Sequence, residues 1–287
     1  MNVLSLFDGI SCGQVALERS GINVTNYFAS EIKKSAIEVT MNNYPNTIQL
    51  GDVTKNSEWD LPDIDLLIGG SPCQDFSSLK KGGLGLEGEK SKLFYTYLEC
   101  LERYKPKYFL LENVNMDSDS KDKISELLGV QPVMINSSLV SYQKRSRLYW
   151  TNIGVVEQPK DRELNFQDFI ETNYNELVKY KVNRTPSRIT MWGDGVKGKC
   201  PNVTDKEKIY CLTTKQDRWN NSGLIEFEDF CRFLTVEECE VAQNLPVGYT
   251  RGLSKNKAYD VIGDGWTVDV ICHIFEGLKH QRGENNE

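Results

Sequence analysis

A cysteine follows the apolar run Ile64–Ile68, at the end of the stretch Gly69-Gly70-Ser71-Pro72-Cys73. Pro72 stiffens this turn, and a thiol just beyond a buried strand lies in a cleft rather than in the core. The thiolate of Cys73 would be a nucleophile, but only a few per cent of an ordinary thiol is ionised at neutral pH. An isolated Pro-Cys pair is more often structural, so a catalytic Cys73 requires chemical partners elsewhere in the sequence.

Two later segments provide such partners. Phe109–Val114 places the Glu112 carboxyl group at the end of a strongly apolar strand, where it can donate a proton or a hydrogen bond. Gln143–Arg147 carries Arg145 and Arg147 in alternation, and an extended backbone directs alternate side chains to one face. Guanidinium groups bind phosphates and carbonyl oxygens. The three segments together predict a nucleophile, an acid and a pair of cationic binding groups.

A glycine-punctuated turn, Phe7–Gly13, lies between a first apolar strand and a helix that begins near Gln14. Glycines at this point let backbone amides approach a ligand at the carboxyl end of a sheet. The spacing does not match the dinucleotide fingerprint G-x-G-x-x-G, which argues against a nicotinamide-dependent oxidoreductase. A plain tight turn is the alternative to a ligand-binding turn.

Two acidic residues stand where the next strands should end. Glu31 follows Tyr27–Ser30, and Asp52 follows Leu50-Gly51. A carboxylate at the tip of the second strand can accept both hydroxyls of a ribose, and the next acidic tip can accept an adenine amino group. Either residue alone would usually be a solvated loop charge, but with the glycine turn they outline an adenosine-binding crevice.

The elements that must position these residues follow from the apolar pattern. Short apolar runs alternate with amphipathic segments up to Trp150, which predicts a doubly wound α/β fold with a parallel sheet. The chain is then polar to about Tyr249, and apolar spacing returns over Tyr259–Leu278 as one buried helix. We predict a first domain of residues 1–158 plus 255–287, to which that helix returns, and a smaller second domain of residues 159–254.

The 287-residue chain has a net charge of −7, eight cysteines and two histidines. No two cysteines form a C-x-x-C pair, so neither a disulfide framework nor a metal site is expected. Without a basic leader or an apolar run of about 18 residues, we expect a soluble, cytoplasmic protein that is neither secreted nor bound to a membrane. Between Lys179 and Arg218, ten basic residues stand against four acidic ones, as in a nucleic-acid-binding face or a solvated loop.

In their order and spacing these motifs resemble those of the cytosine-5 DNA methyltransferases. The likeness extends to Arg232–Glu238 with Gln243–Pro246, after the family's recognition domain, and to Gly263–Ile271, its closing cofactor motif. Within the family the sequence looks closest to the catalytic domain of the animal de novo methyltransferases. We expect no attached reader domain, and therefore a stand-alone bacterial or phage enzyme. The motifs that carry the resemblance in the first half are Phe7–Gly9, Glu31, Asp52, Pro72–Gln74, Glu112–Val114 and Gln143–Arg147.

The resemblance implies a Rossmann-like, S-adenosylmethionine-dependent methyltransferase fold with a smaller target-recognition domain. It also implies methylation of cytosine C5 in double-stranded DNA, on a base flipped out of the helix. Cys73 would add to C6, Glu112 would bind N3 and Arg147 would bind O2. Arg145 would bind a nearby phosphate or support its loop, and residues 78–92 would form a lid.

The resemblance further assigns binding residues. Asp264 departs from the family, where Asn or Arg is usual, and it would either alter the affinity for the cofactor or face water. The cofactor would be held by Phe7, Asp8, Gly9, Ile10, Ser11, Cys12, Glu31, Ile32, Asp52, Val53, Gly70, Pro72, Asp264, Gly265 and Trp266. DNA would be contacted by Gln74, Ser77, Gln143, Arg184, Arg188, Lys199, Thr213, Thr214 and Arg218.

Other interpretations stay open from the sequence. A tRNA-modifying branch of the superfamily shares the catalytic motifs, although the motif around Trp266 favours the DNA branch. A DNA-binding homologue without catalysis would be expected to lack Cys73, Glu112 or Arg147, and all three are present. The resemblance also leaves open a homodimer and a cognate restriction endonuclease as partners.

Overall fold

A computed structural model describes residues 1–71, 91–173, 177–183, 202–216, 223–227 and 230–283. The chain divides into two compact units. The first comprises Met1–Ile135, Ser146–Pro159 and Val270–Glu287, and the second comprises Asn136–Arg145 and Lys160–Asp269. Residues 136–145 and 255–269, which were predicted to belong to the first domain, lie in the second unit.

The first unit contains one large sheet. Its strands in the described part of the chain are β1 (Asn2–Leu6), β2 (Asn26–Ser30), β3 (Ile48–Gln49), β4 (Leu66–Gly69), β5 (Tyr108–Val114), β6 (Val133–Asn136) and β7 (Ser146–Thr151). They lie in the order β3-β2-β1-β4-β5-β7-β6. The pairs β2–β3, β1–β2, β1–β4 and β4–β5 are parallel, whereas β5–β7 is antiparallel. The predicted doubly wound α/β class is confirmed. The antiparallel strand was not predicted, and it arises because β7 follows β6 without a crossover helix.

In the described part of the chain, four helices follow strands of this sheet: α1 (Cys12–Arg19), α2 (Lys34–Asn43), α3 (Ser91–Tyr104) and α4 (Ser118–Leu128). The ends of α4 are set by local chemistry, since the Asp117 side chain accepts the Ser120 N–H and Gly129 adopts φ 71°. Apolar side chains from the sheet and helices form the core, including Leu4, Leu6, Leu67, Phe94, Leu111 and Trp150, which are all fully buried. This packing fixes the carboxyl edge of the parallel strands, where the predicted site residues lie.

The second unit contains a small antiparallel sheet of β8 (Lys181–Val182), β9 (Leu224–Glu226) and β10 (Cys231–Phe233), in the order β8-β10-β9. Helix α5 (Val236–Ala242) begins at a capping box between Thr235 and Glu238. Glu238 also forms a buried ion pair with Arg232 at 2.7 Å. The motif Arg232–Glu238 therefore holds the entry to α5 in place.

The prediction of one continuous helix over Tyr259–Leu278 is wrong. Helix α6 ends at Asp264 (Lys255–Asp264), and α7 (Val268–Gly283) begins after a break at Gly265–Thr267. Gly265 has φ −66° and ψ 164°, which ends the helical backbone even though apolar spacing continues across the break. No helix within the described ranges is long and apolar enough to cross a membrane.

Candidate active site

The strand that leads to Cys73 is fastened to the strand that carries Glu112. β4 and β5 pair in parallel, so their carboxyl ends lie side by side. Just beyond β4, the Asn113 side-chain amide donates to the carbonyl and hydroxyl oxygens of Ser71, both at 3.3 Å, and both residues are buried. This contact fixes the chain two residues before Cys73.

Glu112 and Arg147 form an ion pair at the end of these strands. Antiparallel pairing sets Glu112 opposite Tyr149 and Val114 opposite Arg147. Arg147 Nε lies 3.0 Å from Glu112 Oε1, and the side chains are 16% and 11% exposed. The pair is thus shielded from bulk water while its edge stays accessible. A carboxyl group beside a guanidinium can contact a ring nitrogen and an adjacent carbonyl oxygen of one base.

The turn after β1 has a strained backbone. Phe7, Gly9 and Ser11 have φ of 57°, 61° and 57°, and this left-handed region is unfavourable for the two residues that are not glycine. Hydrogen bonds to the Asp8 carboxylate hold the turn: the Ser11 hydroxyl donates to one oxygen, and the Tyr27 hydroxyl donates to the other at 2.8 Å. Such strain is found at ligand-binding turns more often than elsewhere.

Glu31 joins this turn to the end of β2. Its carboxylate accepts the Gly9 N–H at 2.8 Å, and its other oxygen accepts the N–H groups of Ile32 and Lys33, each at 2.8 Å. A carboxylate offers about four acceptor positions, so these bonds leave limited capacity for a ligand hydroxyl. Glu31, at the end of β2, therefore helps to hold the turn in place.

Asp52 presents a different arrangement at the end of β3. Its Oδ1 accepts the Thr54 N–H at 2.9 Å and the Thr54 hydroxyl at 2.8 Å. These hydrogen bonds hold the pKa of Asp52 below its usual range, so the carboxylate is charged at neutral pH. Within the described part of the chain Oδ2 has no hydrogen-bond partner. This oxygen can accept a hydrogen bond from a ligand.

The other predicted cofactor residues of the first unit differ in exposure. Ile32 is 71% exposed, and an apolar side chain held on the surface suits contact with a flat apolar ligand. Gly70 and Phe7 are half-buried. Four residues are buried and can contribute only through their backbone or by packing: Ile10, Ser11, Cys12 and Val53.

The Asp8 carboxyl group titrates in an unusual range. Burial raises its pKa to about 6, from an ordinary value near 3.9, and the negative charge of Glu31 acts in the same direction. Hydrogen bonds from Ser11, Ser5 and Tyr27 oppose this rise. The folded protein therefore binds a proton at Asp8 more tightly than the unfolded chain does.

We expect Asp8 to make the first unit lose stability as pH rises. The stabilisation by protonated Asp8 is complete below the unfolded pKa near 3.9 and is lost as pH rises through about 6. Relative to Asp8→Asn, which cannot titrate, the wild type should lose about 1.4 kcal/mol of unfolding free energy between pH 5 and pH 7.5. Urea denaturation at both pH values measures this difference. Equal changes in the two proteins would contradict the assignment.

In the second unit, Gln143 is not where DNA could contact it. Its side chain is fully buried: Nε2 donates to the Ala242 carbonyl at 2.7 Å and to Gln243 Oε1 at 2.8 Å, and Oε1 accepts the Leu212 N–H at 3.1 Å. The structure thus corrects the predicted DNA contact at Gln143, because every polar atom of its amide serves the interior. Arg145 is also buried and bonded to backbone carbonyls, which excludes the phosphate contact and leaves the supporting role.

The other predicted residues of this unit lie nearer the surface. Thr213 and Asp264 are exposed, Thr214 and Trp266 are half-buried, and Gly265 is buried. Several predicted site residues fall outside the described residues, together with most of the predicted lid. They are Pro72, Cys73, Gln74, Ser77, Arg184, Arg188, Lys199 and Arg218.

Sequence reasoning missed three residues that organise the site. Asn113 holds Ser71, Tyr27 holds Asp8, and the Thr40 hydroxyl lies 3.1 Å from the Ser11 hydroxyl. Asn113 follows Glu112 directly, and a polar residue at the end of an apolar strand was the available signal. Nothing local in the sequence distinguishes Tyr27 or Thr40, which act through the fold.

Comparison with known proteins gives one family model and several relatives. Residues 1–136 match the family model described as C-5 cytosine-specific DNA methylase. The orphan methyltransferase M.SPRI of Bacillus phage SPR is 39% identical over 202 residues, which cover 63% of this chain and 45% of that protein. The type II methyltransferase M.NgoBV of Neisseria gonorrhoeae is 38% identical over 130 residues, covering 44% and 30%. The chain thus spans less than half the length of these relatives.

Solved structures resemble the whole chain in fold. DNMT2 of Spodoptera frugiperda, in a mutant form, and S. pombe Dnmt2 each give a TM-score of 0.74 at 19% identity, covering 97% of this chain and 99% of theirs. The Entamoeba histolytica methyltransferase EhMeth gives 0.73 at 17% identity, covering 98% of both chains. At this level of identity the similarity establishes the Rossmann-like fold of these methyltransferases and nothing finer.

Proposed function

Because residues 1–136 match the C-5 cytosine-specific DNA methylase family model, we propose that the chain methylates C5 of cytosine in double-stranded DNA with S-adenosylmethionine as donor. The observation that carries the proposal is the pair of Glu112 and Arg147, 3.0 Å apart, beside the fastened strand end that leads to Cys73. In the proposed site, Cys73 as nucleophile, Glu112 as acid and Arg147 as carbonyl-binding cation would act on one base. The relatives named as DNA methyltransferases support this activity.

The chain's own residues would act in the following order. The Cys73 thiolate forms a bond to C6, and the electrons of the C5–C6 double bond move toward N3 and O2. Glu112 hydrogen-bonds or protonates N3, while Arg147 holds O2. After C5 is methylated, a base removes the C5 proton, the C5–C6 double bond re-forms as the thiolate leaves, and any proton placed on N3 returns to Glu112. Since C5 and C6 lie inside the base stack, the cytosine must first be flipped out.

The residues of the first unit fit the proposed cofactor. Asp52 offers the charged Oδ2 as an acceptor, Ile32 offers exposed apolar surface, and Phe7–Gly9 supplies a strained turn. These groups would hold the adenosine moiety, together with Glu31. S-adenosylmethionine, when bound, supplies an electrophilic methyl group. Asp264, Gly265 and Trp266 of the second unit remain predicted contacts.

DNA recognition would come from the second unit, in line with the excess of basic residues between Lys179 and Arg218. Thr213 and Thr214 are the predicted contacts that the structure describes near the surface. Phosphate contacts by lysine and arginine release counterions, so affinity should fall steeply with salt. We place the protein in the cytoplasm of a bacterium or an infected host.

The proposal is tested by offering the purified protein methyl-labelled S-adenosylmethionine with either duplex DNA or tRNA. Label on C5 of cytosine in duplex DNA, in one short sequence context, is the expected result. Label on tRNA alone would establish the RNA-modifying alternative. Binding of the donor without transfer to either nucleic acid would favour a non-catalytic homologue.

A further inference from the structure

We propose that Arg145 is a positioning residue that couples DNA binding to cofactor binding within the second unit. It joins the segment Cys211–Thr214, of which Thr213 and Thr214 are predicted DNA contacts, to Gly263–Trp266, which holds the predicted cofactor contacts. This inference rests on the proposed function for those two assignments. The link itself rests on contacts between described residues.

The Arg145 guanidinium binds backbone on both sides. Nη1 donates to the Leu212 carbonyl at 3.1 Å and lies 3.4 Å from Cys211 Sγ. Nη2 donates to the Gly265 carbonyl at 3.1 Å, and both nitrogens lie 3.4 Å from the Gly263 carbonyl oxygen. The residue is only 6% exposed. The planar guanidinium directs two donor nitrogens at these carbonyls in a fixed geometry, whereas lysine offers a single nitrogen on a flexible stem.

The end of α6 explains why a cation is favourable here. The last carbonyls of a helix have no intrahelical partner and carry partial negative charge. Gln243 Nε2 donates to the carbonyls of Ile262 at 2.9 Å and Gly265 at 3.0 Å, and Arg145 takes the carbonyl of Gly263 between them. The backbone on both sides of Asp264 is therefore held by two buried side chains.

Direct packing reinforces the link. A Cβ placed on Gly263 would lie 2.2 Å from the carbonyl carbon of Thr213 and 2.4 Å from the nitrogen of Thr214. The backbone of the segment Cys211–Thr214 thus packs directly against α6, with no side chain between them. Because packed interiors have little free space, a displacement of one backbone must displace the other.

A second chain of hydrogen bonds joins the same two segments and runs through Gln143. Its Oε1 accepts the Leu212 N–H at 3.1 Å, and its Nε2 donates to Gln243 Oε1 at 2.8 Å. Gln243 in turn holds the Gly265 carbonyl, and both glutamines are fully buried. The exposed Thr213 and Asp264 are therefore the sequence neighbours of Leu212 and Gly265, which lie at the two ends of one buried, hydrogen-bonded cluster.

Coupling of this kind is reciprocal. A ligand that orders one end of the cluster reduces the entropy that the second ligand must still remove, so each strengthens the binding of the other by the same factor. For coupling through a shared network this factor is about 5-fold or more.

Isothermal titration measures this coupling factor. The affinity for S-adenosylhomocysteine is determined without DNA and again with saturating unmethylated duplex DNA. The wild type should bind S-adenosylhomocysteine at least about 5-fold more tightly with DNA present. Arg145→Lys, which loses the fork, and Gly263→Ala, which pushes into Thr213, should both bring the ratio close to 1. Arg251→Lys, at an exposed arginine of the same unit, is the matched control and should keep the wild-type ratio.

Hydrogen exchange on the wild type gives a readout that needs no variant. S-adenosylhomocysteine alone should slow exchange of the Leu212 amide and its neighbours up to Gln216. A wild-type ratio near 1, a ratio retained in Arg145→Lys and Gly263→Ala, or unchanged exchange at Leu212 would each overturn the inference while the proposed function stands. A wild type that binds neither ligand would overturn the proposed function and this inference with it.

Discussion

Replacing Cys73 by alanine should lower methyl transfer to duplex DNA by at least about 10⁴-fold, because the covalent route to an activated ring is lost. Carbon C5 of cytosine is a weak nucleophile until a thiolate adds to C6. The buried contact of Asn113 with Ser71 fixes the backbone two residues before Cys73, in line with a thiol held for attack.

Single-turnover transfer of a labelled methyl group, with protein in excess over DNA, measures this loss directly. Cys272→Ala is the matched control, since Cys272 is a half-buried thiol of the first unit, 3.7 Å from the Ala16 carbonyl oxygen. It should retain transfer within about 2-fold, as substitutions away from special features usually do. Cys73→Ala should still bind S-adenosylhomocysteine with unchanged affinity. Transfer at more than a hundredth of the wild-type rate would exclude covalent catalysis by Cys73.

Site residues at the ends of strands could be predicted from the sequence. The carboxyl ends of parallel strands share one edge of a sheet, so Glu31, Asp52 and Glu112 could be assigned to that edge from the apolar runs that precede them. The Phe7–Cys12 turn could be recognised from its glycines. The left-handed φ at Phe7 and Ser11 could not be predicted, because one of the bonds that sustain it comes from Tyr27 on β2.

The sequence was uninformative where a side chain's partner lies far along the chain. Alternation in Gln143–Arg147 predicts that Arg145 and Arg147 share a face, but not whether each faces interior or solvent. Arg145 is bonded to carbonyls of Leu212 and Gly265, and the two arginines fall in different units. A pattern local to five residues contains no information about those contacts.

Replacing Glu112 by glutamine should lower kcat by about 10²- to 10³-fold, with little change in the KM for either substrate. Glutamine retains the shape of the side chain and an oxygen that can accept from Arg147 Nε, so the 3.0 Å contact can persist. What is lost is a group that can exchange a proton with N3 as charge develops there, because an amide cannot do so. The loss should therefore fall on the chemical step and not on binding.

Steady-state kinetics with separate kcat and KM values test this, with S-adenosylhomocysteine affinity as a check on folding. Glu99→Gln is the matched control: Glu99 is exposed on α3 and accepts only a weak hydrogen bond from Asn56 at 3.3 Å. A double-mutant cycle with Arg147→Lys adds a second constraint. Because Glu112 and Arg147 would act on one base, their combined loss should be smaller than the product of the single losses. Fully multiplicative losses would show that the two residues act independently. A kcat within tenfold of the wild type in Glu112→Gln would show that the ion pair is structural and that another group binds N3.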